Sequence, residues 1–238
     1  QRAFEETLKH VGNIFPENIL SPISGPSWHY RHKARLRVKF VEKKQKVLIG
    51  FNEKMSHFLT NMNTCSILPK KISDLIEPLQ NLFFKLSIRD KIPQIEYASN
   101  QIRHVLVIRI LESLTENDKS LLKYFQDLNK IEFWIQTKGY DTVRPLFSKT
   151  TNKLVYKNKE FNLNFSFNPT DFTQINPFIN QILIRKVMAL LNPSKNDLIF
   201  DLFSGVGNFA LPIATSGAKV LAIEGDEMLV DSGNKNAI

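Results

Sequence analysis

Apolar and polar residues alternate strictly through Tyr30–Phe40, "YRHKARLRVKF": Ala34, Leu36, Val38 and Phe40 fall on one side, Lys33, Arg35, Arg37 and Lys39 on the other. A period of two predicts a β-strand with one apolar and one basic face. The polar run "VEKKQK" turns the chain, and "VLIGF" returns as the partner strand of a hairpin. Upstream, Phe4, Leu8 and Val11 keep helical spacing until Gly12, which predicts a short helix over Arg2–His10, followed by a loop punctuated from Pro16 to Pro26. Downstream, Ile72, Leu75, Ile76, Leu79, Phe83 and Leu86 make one helical stripe that Pro78 must kink or split. "HVLVIRIL" and "KIEFWIQ" predict strands on either side of the helix "ENDKSLLKYFQDL", opened by a capping box of Thr115 and Asp118.

After one more strand, "FNLNFSF", the pattern changes. Asn176 as N-cap and Pro177 at the first helical position open a helix whose buried side is expected to carry Ile182, Leu183, Val187, Met188, Leu190 and Leu191, closed by Pro193. "DLIFDLF", "SGVGN", "FALPIAT" and "AKVLAIEGD" then read as strand, loop, helix and strand, a βαβ unit that begins a doubly wound α/β sheet. The expected organisation is an N-terminal helix and linker (1–20), a mixed α/β domain (21–168) and the first part of a Rossmann-like domain (169–238).

Composition adds a globular chain of 238 residues, 42% hydrophobic, without a run of apolar residues long enough for a membrane span or a signal peptide. A cytoplasmic protein follows, and one cysteine, Cys65, makes no internal disulfide. The net charge of +9 is unevenly spread: Arg31–Lys54 carries nine Lys/Arg against two Glu, whereas Asp197–Asp231 carries six acids and only Lys219 as a base. Two halves with opposite charge predict different partners, with the basic strand following phosphates and Trp28 and Tyr30 beside it stacking on an unpaired base. A solvated basic strand edge is the plainer alternative.

In the acidic half, Gly205, Gly207 and Ala210 satisfy G-x-G-x-x-G/A, and Glu224 closes the next strand. Bare positions at 205 and 207 let a ligand approach the backbone, and a carboxylate at the end of the second strand can accept both hydroxyls of a ribose. No Gly-Lys-Ser/Thr follows, which disfavours a P-loop. The loop alone leaves S-adenosylmethionine and a nicotinamide dinucleotide both open.

"DLFSGVGNFALPIA", preceded by "FNPTDFTQIN" and followed by "AIEGDEMLVDSGNKNA", resembles the RNA 5-methyluridine methyltransferase family, and "YRHKARLRVKF", "GFNEK" and "NTCSILP" stand upstream in that family's order. The resemblance leans to the branch that modifies uridine in 23S ribosomal RNA over the tRNA branch. It implies a Rossmann-like S-adenosyl-L-methionine-dependent methyltransferase domain after an RNA-binding central domain, with Gln174, Phe203, Asn208 and Glu224 contacting the cofactor. Family members often hold a four-cysteine [4Fe-4S] cluster, of which Cys65 matches one ligand. The other three would lie upstream of Gln1, so this chain cannot build the cluster itself. Ser204 stands where the family commonly has cysteine.

The family's chemistry implies a cysteine thiolate adding to C6 of uracil so that C5 attacks the methyl group, after which a base removes the C5 proton. Both catalytic groups are expected beyond Ile238, so no catalytic residue is assigned in this chain, and it is expected to be inactive alone. The expected partner is 23S ribosomal RNA, with no membrane and no protein partner implied. A nicotinamide-dependent oxidoreductase and a non-catalytic RNA-binding module are the competing readings.

Overall fold

In the computed structural model, which describes residues 2–148 and 153–238, the alternating segment is strand β1 (Lys33–Val41). It pairs antiparallel with β2 (Lys46–Gly50) through a one-turn 3-10 helix at Glu42–Lys44. On its other side it pairs with β3 (Gln94–Ser99), giving a sheet in the order β2-β1-β3-β4-β5-β6, where β4 is His104–Arg109, β5 Glu132–Gln136 and β6 Arg144–Pro145. All neighbours are antiparallel except β4 and β5, whose parallel pairing requires a crossover.

One sheet face buries Ala34, Leu36, Ile95, Tyr97, Leu106, Ile108, Phe133 and Ile135 against three helices. These follow α1 (Arg2–His10), which buries no residue, and are α2 (Lys70–Ser73), α3 (Ile76–Lys85) and the crossover helix α4 (Glu116–Asn129). The stripe over 70–86 is split ahead of Pro78, which therefore falls in the first turn of α3, where its missing N–H removes no helical bond. Thr115 and Asp118 form the expected capping box, and Asp118 also accepts from the backbone N–H and hydroxyl of Ser87, fixing α4 to the chain that leaves α3.

The opposite sheet face is covered over only part of its area. Ala98, Val105, Val107 and Trp134 pack beneath a hairpin of β7 (Leu154–Asn158) and β8 (Leu163–Phe167), together with Val206 of the glycine loop. Next come α5 (Pro177–Leu191), β9 (Leu198–Leu202), α6 (Ala210–Ala214), β10 (Lys219–Ile223) and α7 (Glu227–Asn236), with β9 and β10 parallel as a βαβ unit demands. Asn176 caps α5 by accepting from the Ile179 N–H, ahead of Pro177 at N1. The expected buried side of α5 needs correction: Ile184 is its buried apolar residue, while Leu190 and Leu191 are exposed because the last turn has only a two-stranded sheet beside it. Leu198, Phe200 and Leu202 of β9, with Leu221 and Ile223 of β10, likewise present apolar side chains to solvent. Among the described residues no helix is long and apolar enough to cross a membrane.

Candidate cofactor crevice and nucleic-acid interface

The turn from β9 into α6 forces left-handed backbone at three positions: φ is +61° at Phe203, +57° at Gly205 and +91° at Gly207. Phe203 pays strain that a glycine would avoid, and its ring is 90% exposed, so it is not core packing. The two glycines are bare for different reasons. A Cβ at Gly205 would meet nothing within 4 Å, whereas one at Gly207 would sit 2.9 Å from Cγ of Leu211. Gly205 thus leaves open space beside the loop, and Gly207 lets the loop lie against Leu211 of α6.

Two depressions meet at Ser204 and Gly205. One, of about 390 Å³, is lined by Gln174, Phe203 and Asn208 with Tyr156, Phe172 and Thr173. The other, of about 800 Å³, lies between α6, β10 and α7 and contains Glu224 and Gly207. The structure therefore brings Gln174, Phe203, Gly205 and Asn208 to one hollow and sets Glu224 across the loop from them. Gln174 and Phe203 are exposed there and Asn208 is half-buried.

Neither Asn208 nor Glu224 is idle. The Asn208 and Asn180 amides donate to each other's Oδ1 at 2.9 Å each way, and Asn208 Oδ1 also accepts from the Tyr156 hydroxyl at 3.0 Å. This network ties the first turn of α5, the hairpin and the glycine loop together, and burial raises the Tyr156 phenol so that it stays a donor. Glu224 accepts from the N–H groups of Gly205 (2.9 Å), Gly225 (2.8 Å) and Asp226 (3.1 Å). The N–H groups of Asp226 and Gly205 hold its carboxyl below the ordinary carboxylate range. In this arrangement Glu224 clamps the loop and keeps about one of its four lone-pair positions for a ribose hydroxyl.

The loop is poorly made for a pyrophosphate. Three of its N–H groups are already donated, Gly205 to Glu224, Gly207 to the Ser204 carbonyl and Ala210 to Asp201 Oδ2. Two carboxylates hold N–H groups that a phosphate would use, α6 is only five residues long, and neither depression is lined by Lys or Arg. A cationic ligand with a sugar and an aromatic base fits these surroundings. The Gln174 amide engages no group among the described residues and is available to its amino acid end, and the exposed Phe203 and Phe172 rings offer flat apolar surface.

On the open part of the large sheet, Arg35, Arg37 and Lys39 are exposed as the alternation requires. Lys33 departs from the row. Its ammonium donates to the carbonyls of Pro169 (2.9 Å) and Asp171, joining β1 to the turn before α5, and burial lowers its pKa to about 8 despite Glu96 and Asp171 nearby. Arg35 pairs with the buried Glu96 at 2.9 Å and donates to the Tyr140 hydroxyl at 2.7 Å. Arg37 reaches Asn52 at 3.3 Å. Arg109 ends an apolar strand and has no signal in the local pattern, yet the register Arg37↔Gln94↔Arg109 puts it on the same face, two strands from Arg37. Trp28 is exposed and Tyr30 half-buried, at the edge of a hollow described below.

Cys65 is half-buried, packs against the core on the helical side of the large sheet, and its N–H donates to Ser73 Oγ. Among the described residues no three His, Cys, Asp or Glu side chains are grouped to hold a metal. The residues present do not fit an iron-sulfur cluster.

The family model described as tRNA (Uracil-5-)-methyltransferase matches residues 5–237. Among similar proteins, the 23S rRNA (uracil(1939)-C(5))-methyltransferase RlmD of Nitrosospira multiformis is 45% identical over 237 residues, and that of Cupriavidus necator 46%. Each alignment takes in 100% of this chain and 54% of the relative, so the chain spans about half the length of the curated relatives it matches. The crystal structure of Pyrococcus abyssi tRNA (uracil-54, C5)-methyltransferase in complex with S-adenosyl-L-homocysteine superimposes with a TM-score of 0.64 at 18% identity, covering 88% of this chain and 52% of that one. That likeness shows the fold, a mixed α/β chain running into a Rossmann-like methyltransferase domain. With the family model spanning nearly every residue, the chain belongs to the tRNA (uracil-5-)-methyltransferase family.

Proposed function

We propose that this chain is the RNA-gripping and cofactor-holding part of a methyltransferase that forms 5-methyluridine in 23S ribosomal RNA in the cytoplasm. Residues 21–168 supply the RNA surface and 169–238 the cofactor floor. The observation that carries the cofactor assignment is the glycine loop: the N–H groups of Gly205, Gly207 and Ala210 are spent on the protein's own carboxylates and carbonyl, which disfavours a dinucleotide and suits a phosphate-free, positively charged ligand. S-adenosylmethionine supplies a methyl group on a sulfonium. Gln174 holds its amino acid end, Phe203 covers it, and Glu224 takes a ribose hydroxyl while fixing Gly205. Asn208 acts through Asn180 and Tyr156 to hold the loop's shape.

C5 of uracil becomes a nucleophile only when a thiolate adds at C6. Cys65 packs in the other core and lines neither depression, so it is not that thiolate. The phosphate-binding surface is Arg35, Arg37, Lys39 and Arg109, with Lys33 serving as a tie between the two halves. The named relatives, which align over the whole of this chain, support ribosomal rather than transfer RNA. Competition between a 23S rRNA fragment carrying the target uridine and an unmodified tRNA tests this. The ribosomal fragment should displace labelled RNA at lower concentration, and preference for tRNA would move the assignment to the other branch.

A further inference from the structure

The turn between β3 and β4 contains an unexplained cost. Gln101 holds φ at +77°, a conformation that disfavours a side chain. The turn does not need its amide: Ser99 Oγ accepts from the Gln101 N–H, and Asn100 Oδ1 accepts from the N–H groups of Ile102 and Arg103. The Gln101 side chain engages no group among the described residues. It lines three neighbouring hollows, so this left-handed position faces open space in which a ligand can be held.

The outer hollow, about 700 Å³, lies between the segment leading into β1 and the start of α5. Trp28 and Phe178, 62% and 49% exposed, flank it, and Gln101 and Gln181 offer amide edges. It shares His32, Gln101 and Pro177 with a small inner hollow, which in turn shares Tyr156, Thr173 and Gln174 with the depression at the glycine loop. His32 Nδ1 is buried at this junction without a partner among the described residues. The chain that forms the outer wall continues directly into Arg35, Arg37 and Lys39.

We infer that the hollow bounded by Trp28, Phe178, Gln101 and Gln181 is a receiving site for one unpaired RNA base, next to the one methylated. An exposed aromatic face with free amides at its rim is the chemistry that holds a single-stranded base, by stacking and by hydrogen bonds along its edge. The basic strand beyond it holds the phosphates of the same strand. This assignment rests on the RNA reading proposed above.

The chain has two tryptophans, and Trp134 is 2% exposed, so fluorescence quenching by a ligand reports Trp28. The test compares a short uridine oligonucleotide with an abasic phosphodiester of equal length. The uridine oligomer should quench, the abasic one should bind by charge without quenching, and Trp28→Leu should weaken uridine binding about ten-fold. Gln101→Gly, which relieves the backbone strain and leaves folding intact, should weaken it several-fold and leave abasic binding unchanged. Equal quenching by both oligomers, or unaltered uridine affinity in both variants while RNA still binds with salt dependence, would overturn the base site and leave the RNA reading standing. Failure of every RNA to bind would overturn both.

Discussion

Lys33→Met tests how the two halves are joined. The Lys33 ammonium sits on the carbonyls of Pro169 and Asp171, and burial lowers its pKa from 10.5 to about 8. A folded pKa below the unfolded one means that the unfolded chain binds more protons between those values, so the lysine's contribution to stability rises with pH there. At pH 7 the lowered pKa corresponds to a cost of roughly 3 kcal/mol, of which about 2 kcal/mol is recovered by pH 9.5. Methionine keeps the stem's packing but leaves the two carbonyls without their donor, a cost that does not depend on pH. The informative quantity is thus the slope. Urea unfolding of both proteins at several pH values should show the difference in stability moving in favour of the wild type by about 2 kcal/mol between pH 7 and 9.5. A difference that stays flat would mean a solvated ammonium and no tie between β1 and the turn before α5.

Asn208→Ala removes three hydrogen bonds and leaves the Tyr156 hydroxyl and the Asn180 amide unpaired, so it should cost about 2–4 kcal/mol in denaturant unfolding. In a double-mutant cycle with Asn180→Ala the two effects should be strongly non-additive, and simple additivity would deny the network. Arg35→Glu with Arg37→Glu should weaken RNA binding and flatten its dependence on salt, read by filter binding across a salt series, while unchanged binding would return this face to a solvated edge. Glu224, held below its ordinary range, stabilises the loop above the unfolded carboxylate pKa and loses that contribution as pH falls through the folded value. Wild type and Glu224→Gln should therefore converge in stability under acid, and a constant gap would contradict the clamp.

What the sequence disclosed follows what is local in it. The period of two in β1, the Asn176–Pro177 start of α5 and the Thr115–Asp118 box depend on neighbours along the chain, and each stands where its pattern predicts. β3 has no such signature because both of its faces are buried, with Ile95 and Tyr97 toward the helices and Glu96 and Ala98 toward the other face. Nor does β7 show one. In the candidate site, the glycine motif and the carboxylate at the end of β10 were visible as spacing. The reciprocal pairing of Asn208 with Asn180, the capture of Lys33 and the arrival of Arg109 beside Arg37 depend on tertiary packing and register, which no local spacing encodes.

Titration calorimetry with S-adenosylhomocysteine and with NAD addresses the crevice most directly. S-adenosylhomocysteine should bind saturably with one site, NAD should give no binding heat, and Glu224→Ala should weaken the first by about ten-fold or more through loss of the ribose contact and of the clamp on Gly205. Saturable binding of NAD in place of S-adenosylhomocysteine, or S-adenosylhomocysteine affinity untouched by Glu224→Ala, would contradict the account.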